Sequence, residues 1–289
     1  KAIYLSSSGL APGDAGAYLR IESPSWNVGQ PDATNNLSVS GWYKWAGDFP
    51  SSPDGAALWG QGGIAGGGSA NAGTRLYWRS DNAWVIKEYW DLSSPAPQGI
   101  WTSSVGSPGL VADEWTHIVW VHDAGSSPDG GSTPVLYVNG VSVGPLNDDA
   151  KPCLGTYSSP GSTRISMIGL GGNPPWSSDY QSAYTGSVDE WAFWKRSLSP
   201  TEVAKIYNEG CAADLTAVAP DSLVTWLRMG DGPGDTGGDG GIIHDVVGTS
   251  NATGSGWNYP DPATLFPSFV TNVIPGCFYS STGPRLEGG

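Results

Sequence analysis

Short apolar runs alternate with polar residues along the whole chain, separated by clusters of Gly, Pro, Asp and Ser. Alternation at period two puts one set of side chains on each face of a strand, the pattern of a half-buried β-strand. It predicts strands at Ala17–Glu22, Leu37–Trp45, Ala56–Trp59, Thr74–Trp78, Ala83–Tyr89, Trp115–His122, Val135–Val138, Arg164–Leu170, Val188–Lys195, Leu223–Arg228 and Phe269–Ile274. Many are spaced as in an all-β sandwich, about 8–12 residues apart.

One segment breaks the pattern. Ser199 reads as an N-cap, Pro200 takes the first helical position, and Glu202 stands at the capping-box spacing. Val203, Ile206 and Tyr207 form an apolar stripe, and Gly210 is placed to end the helix. Between Val135–Val138 and Val141–Val143, Asn139-Gly140 supplies the two left-handed residues of a type I′ hairpin turn. Pro50–Gly55, Gly60–Gly73, Ser93–Gly109 and Asp123–Thr133 read as loops. Loops of the longer kind are usually functional or mobile.

Composition sharpens this picture. The 289 residues include 43 Gly and 23 Pro, near the low-complexity range, yet also 15 Trp, 12 Tyr and 5 Phe. Such aromatic mass excludes a disordered chain, and the turn content excludes a coiled coil, a helical bundle and a collagen-like fibre. Lys and Arg number 13 against 27 Asp and Glu, a net charge of −14. Without a basic stripe, neither phosphate-backbone contact with nucleic acid nor an anionic membrane surface is expected. No run of apolar residues is long enough for a membrane-spanning helix, so no membrane insertion is expected. The start, Lys1 to Gly16, has neither an initiator Met nor a signal-type apolar run, as in a chain whose leader was removed or in a processed piece. Cys153, Cys211 and Cys277 cannot all pair within one chain. A Cys211–Cys277 bridge and three buried thiols are both open, and no C-x-x-C spacing points to zinc.

Three blocks then fall in order: Trp115-Thr116-His117-Ile118-Val119-Trp120-Val121-His122-Asp123, Leu136-Tyr137-Val138-Asn139-Gly140-Val141, and Gly186-Ser187-Val188-Asp189-Glu190-Trp191-Ala192-Phe193-Trp194 running into Leu198-Ser199-Pro200-Thr201-Glu202-Val203 and Ile206-Tyr207. Together, over Ala2 to Gly210, they resemble the laminin-G-like, concanavalin-A-like lectin/glucanase superfamily in its bacterial and phage-borne form. The resemblance implies an all-β jelly-roll β-sandwich of two antiparallel sheets with one short helix near 199–209. Residues 1–213 would form the jelly roll. Residues 214–289 would be a C-terminal extension contributing a permuted edge strand at 223–229 and a Gly/Pro-rich tail; a truncated second domain is the alternative. The strand after the helix is similar to laminin-G-like structural proteins of tailed phages, marine ones especially.

Glycoside hydrolases of this superfamily carry Glu-x-Asp-x-x-Glu, which is absent. Hydrolysis needs two carboxylates flanking one bond. Asp189 and Glu190 are adjacent and should point to opposite faces of a strand, as should Asp113 and Glu114. One of the Asp189–Glu190 pair is expected to cap a turn or bond a neighbouring loop. No nucleophile elbow accompanies His117, His122 or His244, and His117 reads as packed. Asp231, Asp235 and Asp239 recur in a Gly-rich loop, so calcium is the one candidate cofactor, although the spacing matches neither an EF-hand nor a calcium-binding repeat. Trp84, Trp90, Trp101, Trp176 and Tyr180 lie in or near predicted loops and are candidate sugar platforms. Trp42, Trp115, Trp191 and Trp226 are expected to pack the two sheets.

The sequence thus points to a non-enzymatic surface module. The first reading is a virion structural or decoration protein of a bacteriophage with glycan adhesion. Its partners would be other virion or surface proteins, or further copies of itself, and its location the virion surface or the extracellular space. A free carbohydrate-binding module or adhesin domain is the alternative, and a glycoside hydrolase ranks below both. Fold alone does not choose among them.

Overall fold

The computed structural model describes the chain except residues 7–15, 23–35, 51–53, 65–72, 90–97, 123–133, 145, 149–162, 171–181, 239, 257–266, 272–273 and 275–289. Two antiparallel sheets pack face to face. The first has eight strands: β1 (Ala2–Leu5), β3 (Leu37–Trp45), β8 (Trp115–His122), β9 (Val135–Val138), β10 (Val141–Ser142), β13 (Gly186–Trp194), β14 (Leu223–Leu227) and β17 (Ser268–Val270). The second has nine: β2 (Ala17–Glu22), β4 (Ala56–Ile64), β5 (Gly73–Trp78), β6 (Trp84–Tyr89), β7 (Gln98–Thr102), β11 (Asn147–Asp148), β12 (Thr163–Ile168), β15 (Ile242–Ile243) and β16 (Ala252–Gly256).

Strands β2, β3, β8 and β9 have the bounds that alternation predicts. Others are corrected. Strand β7 occupies part of the predicted Ser93–Gly109 loop, and β4 and β5 both reach into Gly60–Gly73. Strands β1, β15 and β16 were not predicted. Leu19, Ile21, Leu58, Trp59, Leu76, Trp84 and Ile86 of the nine-stranded sheet meet Val39, Tyr43, Ile118, Trp120, Val188 and Trp191 of the other in one buried core. Asn139 and Gly140, with φ of 49° and 76°, turn β9 into β10 as predicted.

The outer face of the eight-stranded sheet is covered by α1 (Pro200–Tyr207) and the segment after it. Val203 and Ile206 of the helix, with Leu215 and Val218, pack on Val119, Ala192, Trp194 and Trp226. Beside them Trp42 packs with Ala212 and Ile274, and with the partly buried Trp115 and Tyr207. Of the four tryptophans assigned to the space between the sheets, only Trp191 lies there; Trp42, Trp115 and Trp226 lie on this outer face. The predicted capping box at Ser199 and Glu202 is present, but the C-cap is Asn208 in the left-handed conformation rather than Gly210. The helix therefore ends two residues early, because Asn tolerates that conformation almost as Gly does.

The C-terminal segment enters both sheets. β14 pairs with β13 and β17 with β1 in the first. β16 pairs with β2, and β15 with β16, in the second.

Candidate glycan-binding surface

Along β2, β12, β4, β5 and β6 the residues facing away from the core form one row across the nine-stranded sheet. Arg20 pairs with Met167, Met167 with Gly60, Gly60 with Arg75, and Arg75 with Lys87. Arg20 lies between the core residues Leu19 and Ile21, and Gly60 follows the core residue Trp59, so alternation places the row on the outer side. Lys87 Nζ is 2.6 Å from Asp54 Oδ1 and 5.7 Å from the centre of the Tyr77 ring. Arg20 pairs with Glu22 at 3.0 Å. Arg75 and Tyr77 are buried.

Tyr18, Ile165 and Met167 on this face cluster with Leu170 and Ala183. Those last two residues flank the segment bearing Trp176 and Tyr180. The Tyr184 N–H donates to the Gly169 carbonyl at 2.9 Å, and Ala183 bridges to Ala57 of β4. Leu170 and Ala183 therefore lie at neighbouring points on the outer face of this sheet. Trp176, Tyr180 and Trp90 themselves lie outside the described residues.

Two platform candidates are placed otherwise than expected. Trp84 is fully buried in the core; its ring centre is 4.6 Å from that of Trp78, and its Nε1–H donates to the Pro108 carbonyl at 2.8 Å. It is a structural residue, because the inward half of β6 runs through Trp84 and Ile86. Trp101 is on strand β7, paired with Ile86 and Asp148, rather than in a loop.

The aspartate loop also resolves. Asp235 accepts from the Gly230 and Gly232 N–H groups through Oδ2, at 2.9 and 3.1 Å, and from the His244 N–H through Oδ1 at 2.8 Å. His244 Nδ1 stands 3.2 Å from the same Oδ1. Asp235 thus organises its own loop, while Asp231 faces the amino group of Lys1 at 2.8 Å. Asp239 lies outside the described residues. No three His, Cys, Asp or Glu side chains among the described residues are arranged to hold a metal.

Asp189 and Glu190 lie on one face of their strand rather than on opposite faces. Val188 and Trp191 both face the inter-sheet core, which leaves Asp189 and Glu190 together on the other side. Asp189 pairs with Trp42, an outer-face residue, and Glu190 Oε2 accepts from Trp226 Nε1–H at 2.6 Å. A bulge, invisible to an alternation argument, puts the adjacent pair on one face. Both are nearly inaccessible, at 4% and 5% exposure, so they face protein rather than an open cleft. Asp113 and Glu114 are exposed in the turn before β8. His117 is buried between Trp42 and Tyr207, with ring centres 4.9 and 6.0 Å away. Burial pushes its pKa down to about 3. Cys211 is disulfide-bonded, which removes the reading of three free thiols; its partner lies outside the described residues.

The model of the concanavalin A-like lectin/glucanases superfamily matches residues 14–204, and the chain belongs to that family. The two sheets and the short helix α1 are its jelly roll. A Bacteroides ovatus protein described provisionally as carbohydrate binding aligns at 14% identity and a TM-score of 0.54, over 91% of this chain and 61% of that one. A heptameric pentraxin from Limulus polyphemus aligns at 16% identity and a TM-score of 0.46, over 77% of this chain and 91% of its own. The CBM40 of a Ruminococcus gnavus sialidase, bound to α2,3 sialyllactose, aligns at 13% and 0.46, over 72% and 96%. At 14% identity the likeness to the Bacteroides ovatus protein is one of fold. No curated protein sequence matches the chain. No helix among the described residues is long and apolar enough to cross a membrane.

Proposed function

We propose that this chain is a non-catalytic surface module that binds glycans beside the outer face of its nine-stranded sheet. The observation that supports this is that Leu170 and Ala183, which flank Trp176 and Tyr180 in the sequence, both pack on that face. The half-buried Arg20 offers a charged group on the same face of that sheet. An aromatic face stacks on the apolar side of a sugar ring, while neighbouring polar groups take its hydroxyls. Membership of a lectin-bearing superfamily fits this reading without naming the sugar. Calcium, if it takes part, would require ligands beyond Asp235, whose carboxylate oxygens are engaged by its own loop.

The test is a glycan array probed with and without calcium, using the wild type and Trp176→Ala. Binding to a defined glycan set, lost in Trp176→Ala while the fold is retained, is the expected result. An array blank in both conditions overturns the reading.

We place the module on a bacteriophage virion, as a structural or decoration protein docked to other virion proteins or to copies of itself. The support is the strand that follows the helix and the acidic composition. Proteomics of purified particles should recover the chain; particles that consistently lack it would leave the free carbohydrate-binding module or adhesin as the better account.

A further inference from the structure

Strand β13 changes neighbour partway along one edge. β1 pairs with Gly186–Val188, and β14 pairs with Trp191–Trp194. Asp189 and Glu190 occupy the gap between the two. On the opposite edge Trp42 faces Asp189 and Ser40 faces Ala192, so Gly41 alone stands against Glu190 and Trp191. A Cβ on Gly41 would lie 3.0 Å from the Tyr43 ring and 3.2 Å from that of Trp191. Glu190 is left-handed there, φ 48°, in a bulge position that ordinarily selects glycine.

A side chain in that strained conformation persists only where surrounding contacts hold it. Glu190 reaches onto the C-terminal segment, to Trp226 Nε1–H at 2.6 Å and Arg228 Nε at 3.4 Å. The Arg228 guanidinium lies over the Trp226 ring at 5.2 Å. Asp189 Oδ1 accepts the Glu190 N–H at 2.9 Å and thereby holds the bulge.

We propose that Asp189 and Glu190 form a proton-dependent clasp that docks strand β14 and the turn after it onto the jelly roll. The charged groups around the pair are Arg228 and Asp231 on the C-terminal segment and the amino group of Lys1 at the start of β1. Trp42 of β3 faces it uncharged, and His117 of β8, beyond Trp42, is kept neutral by burial. Burial raises both acids, Asp189 well above its ordinary value, with the neighbouring Glu190 charge adding to the rise. A carboxyl with a raised folded pKa stabilises docking most below its unfolded value. That contribution is lost as pH rises through the folded value, when the proton leaves for solvent and two adjacent buried carboxylates are both charged, beside the Arg228 guanidinium and the Lys1 amino group.

This clasp is independent of glycan binding, and its test reads β14 directly. Amide-exchange protection factors of residues 223–229 are measured from acid to alkaline pH in the wild type, Asp189→Asn and Glu190→Gln. In the wild type they should fall about tenfold for each pH unit over which the folded protein alone holds the proton. Protection across β3 and β8 should change less. Asp189→Asn should flatten the profile and exceed the wild type at alkaline pH. The same pH profile in Asp189→Asn as in the wild type overturns the proposal. If neither variant folds, the Trp226 indole N–H resonance of the wild type decides: a titration shift together with loss of β14 protection supports the clasp, and a flat response overturns it.

Discussion

At His117, burial against Trp42 and Tyr207 ties stability to pH. Its folded pKa is pushed from 6.5 to about 3 by desolvation, so the unfolded chain takes a proton that the folded chain refuses. The resulting stability is complete above the unfolded value and is lost as pH falls below it, at about 1.4 kcal/mol per pH unit. Urea unfolding of the wild type and His117→Phe at about pH 7 and pH 5 should show the wild type losing about 2 kcal/mol more than the variant. Parallel losses would refute the assignment. Asp235 makes a second test, because its oxygens gather the N–H groups of Gly230, Gly232 and His244. Asp235→Ala should lower thermal stability by about 1–3 kcal/mol, and added calcium should not restore it if the role is purely structural. Residue identity was enough to read His117 as packed. It was not enough for Trp84, whose burial depends on which face of β6 turns inward, or for Asp189 and Glu190, whose shared face depends on a bulge opposite Gly41.

Among the elements, the helix was the most legible, since its start rests on contacts three residues apart. Ser199 Oγ accepts the Glu202 N–H at 3.3 Å, and the Ser199 N–H donates to Glu202 Oε2 at 2.8 Å. Arg196 pairs with the same carboxylate. Ser199→Ala should cost about 1 kcal/mol in chemical denaturation, and an unchanged midpoint would remove the cap from the account. Strands β2, β3, β8 and β9 were legible because apolar alternation and turn residues coincide at their ends. Strand β16, Ala-Thr-Gly-Ser-Gly, has no such signal; it is a strand because five of its residues pair with β2. Trp176 and Tyr180 were legible only as composition, and the packing of Leu170 and Ala183, which flank them in the sequence, required the sheet.

For the whole molecule, the C-terminal segment is the decisive part. It supplies β14 and β17 to one sheet and β15 and β16 to the other. Removing residues 214–289 should therefore expose Trp194 and Val119, uncover the free edge of β2, and give an insoluble or unfolded product. A soluble, cooperatively unfolding fragment 1–213 would instead make this segment a separate unit. The pairings have a consequence in time as well as in space. β16 meets β2, with Ala252 opposite Ile21, and β17 meets β1, with Phe269 opposite Ile3. During synthesis β1 and β2 wait, with open edges, until β17 and β16 leave the ribosome. Such distant partners make for slow closure, so a newly made chain depends on shielding of β1 and β2 until these partners arrive.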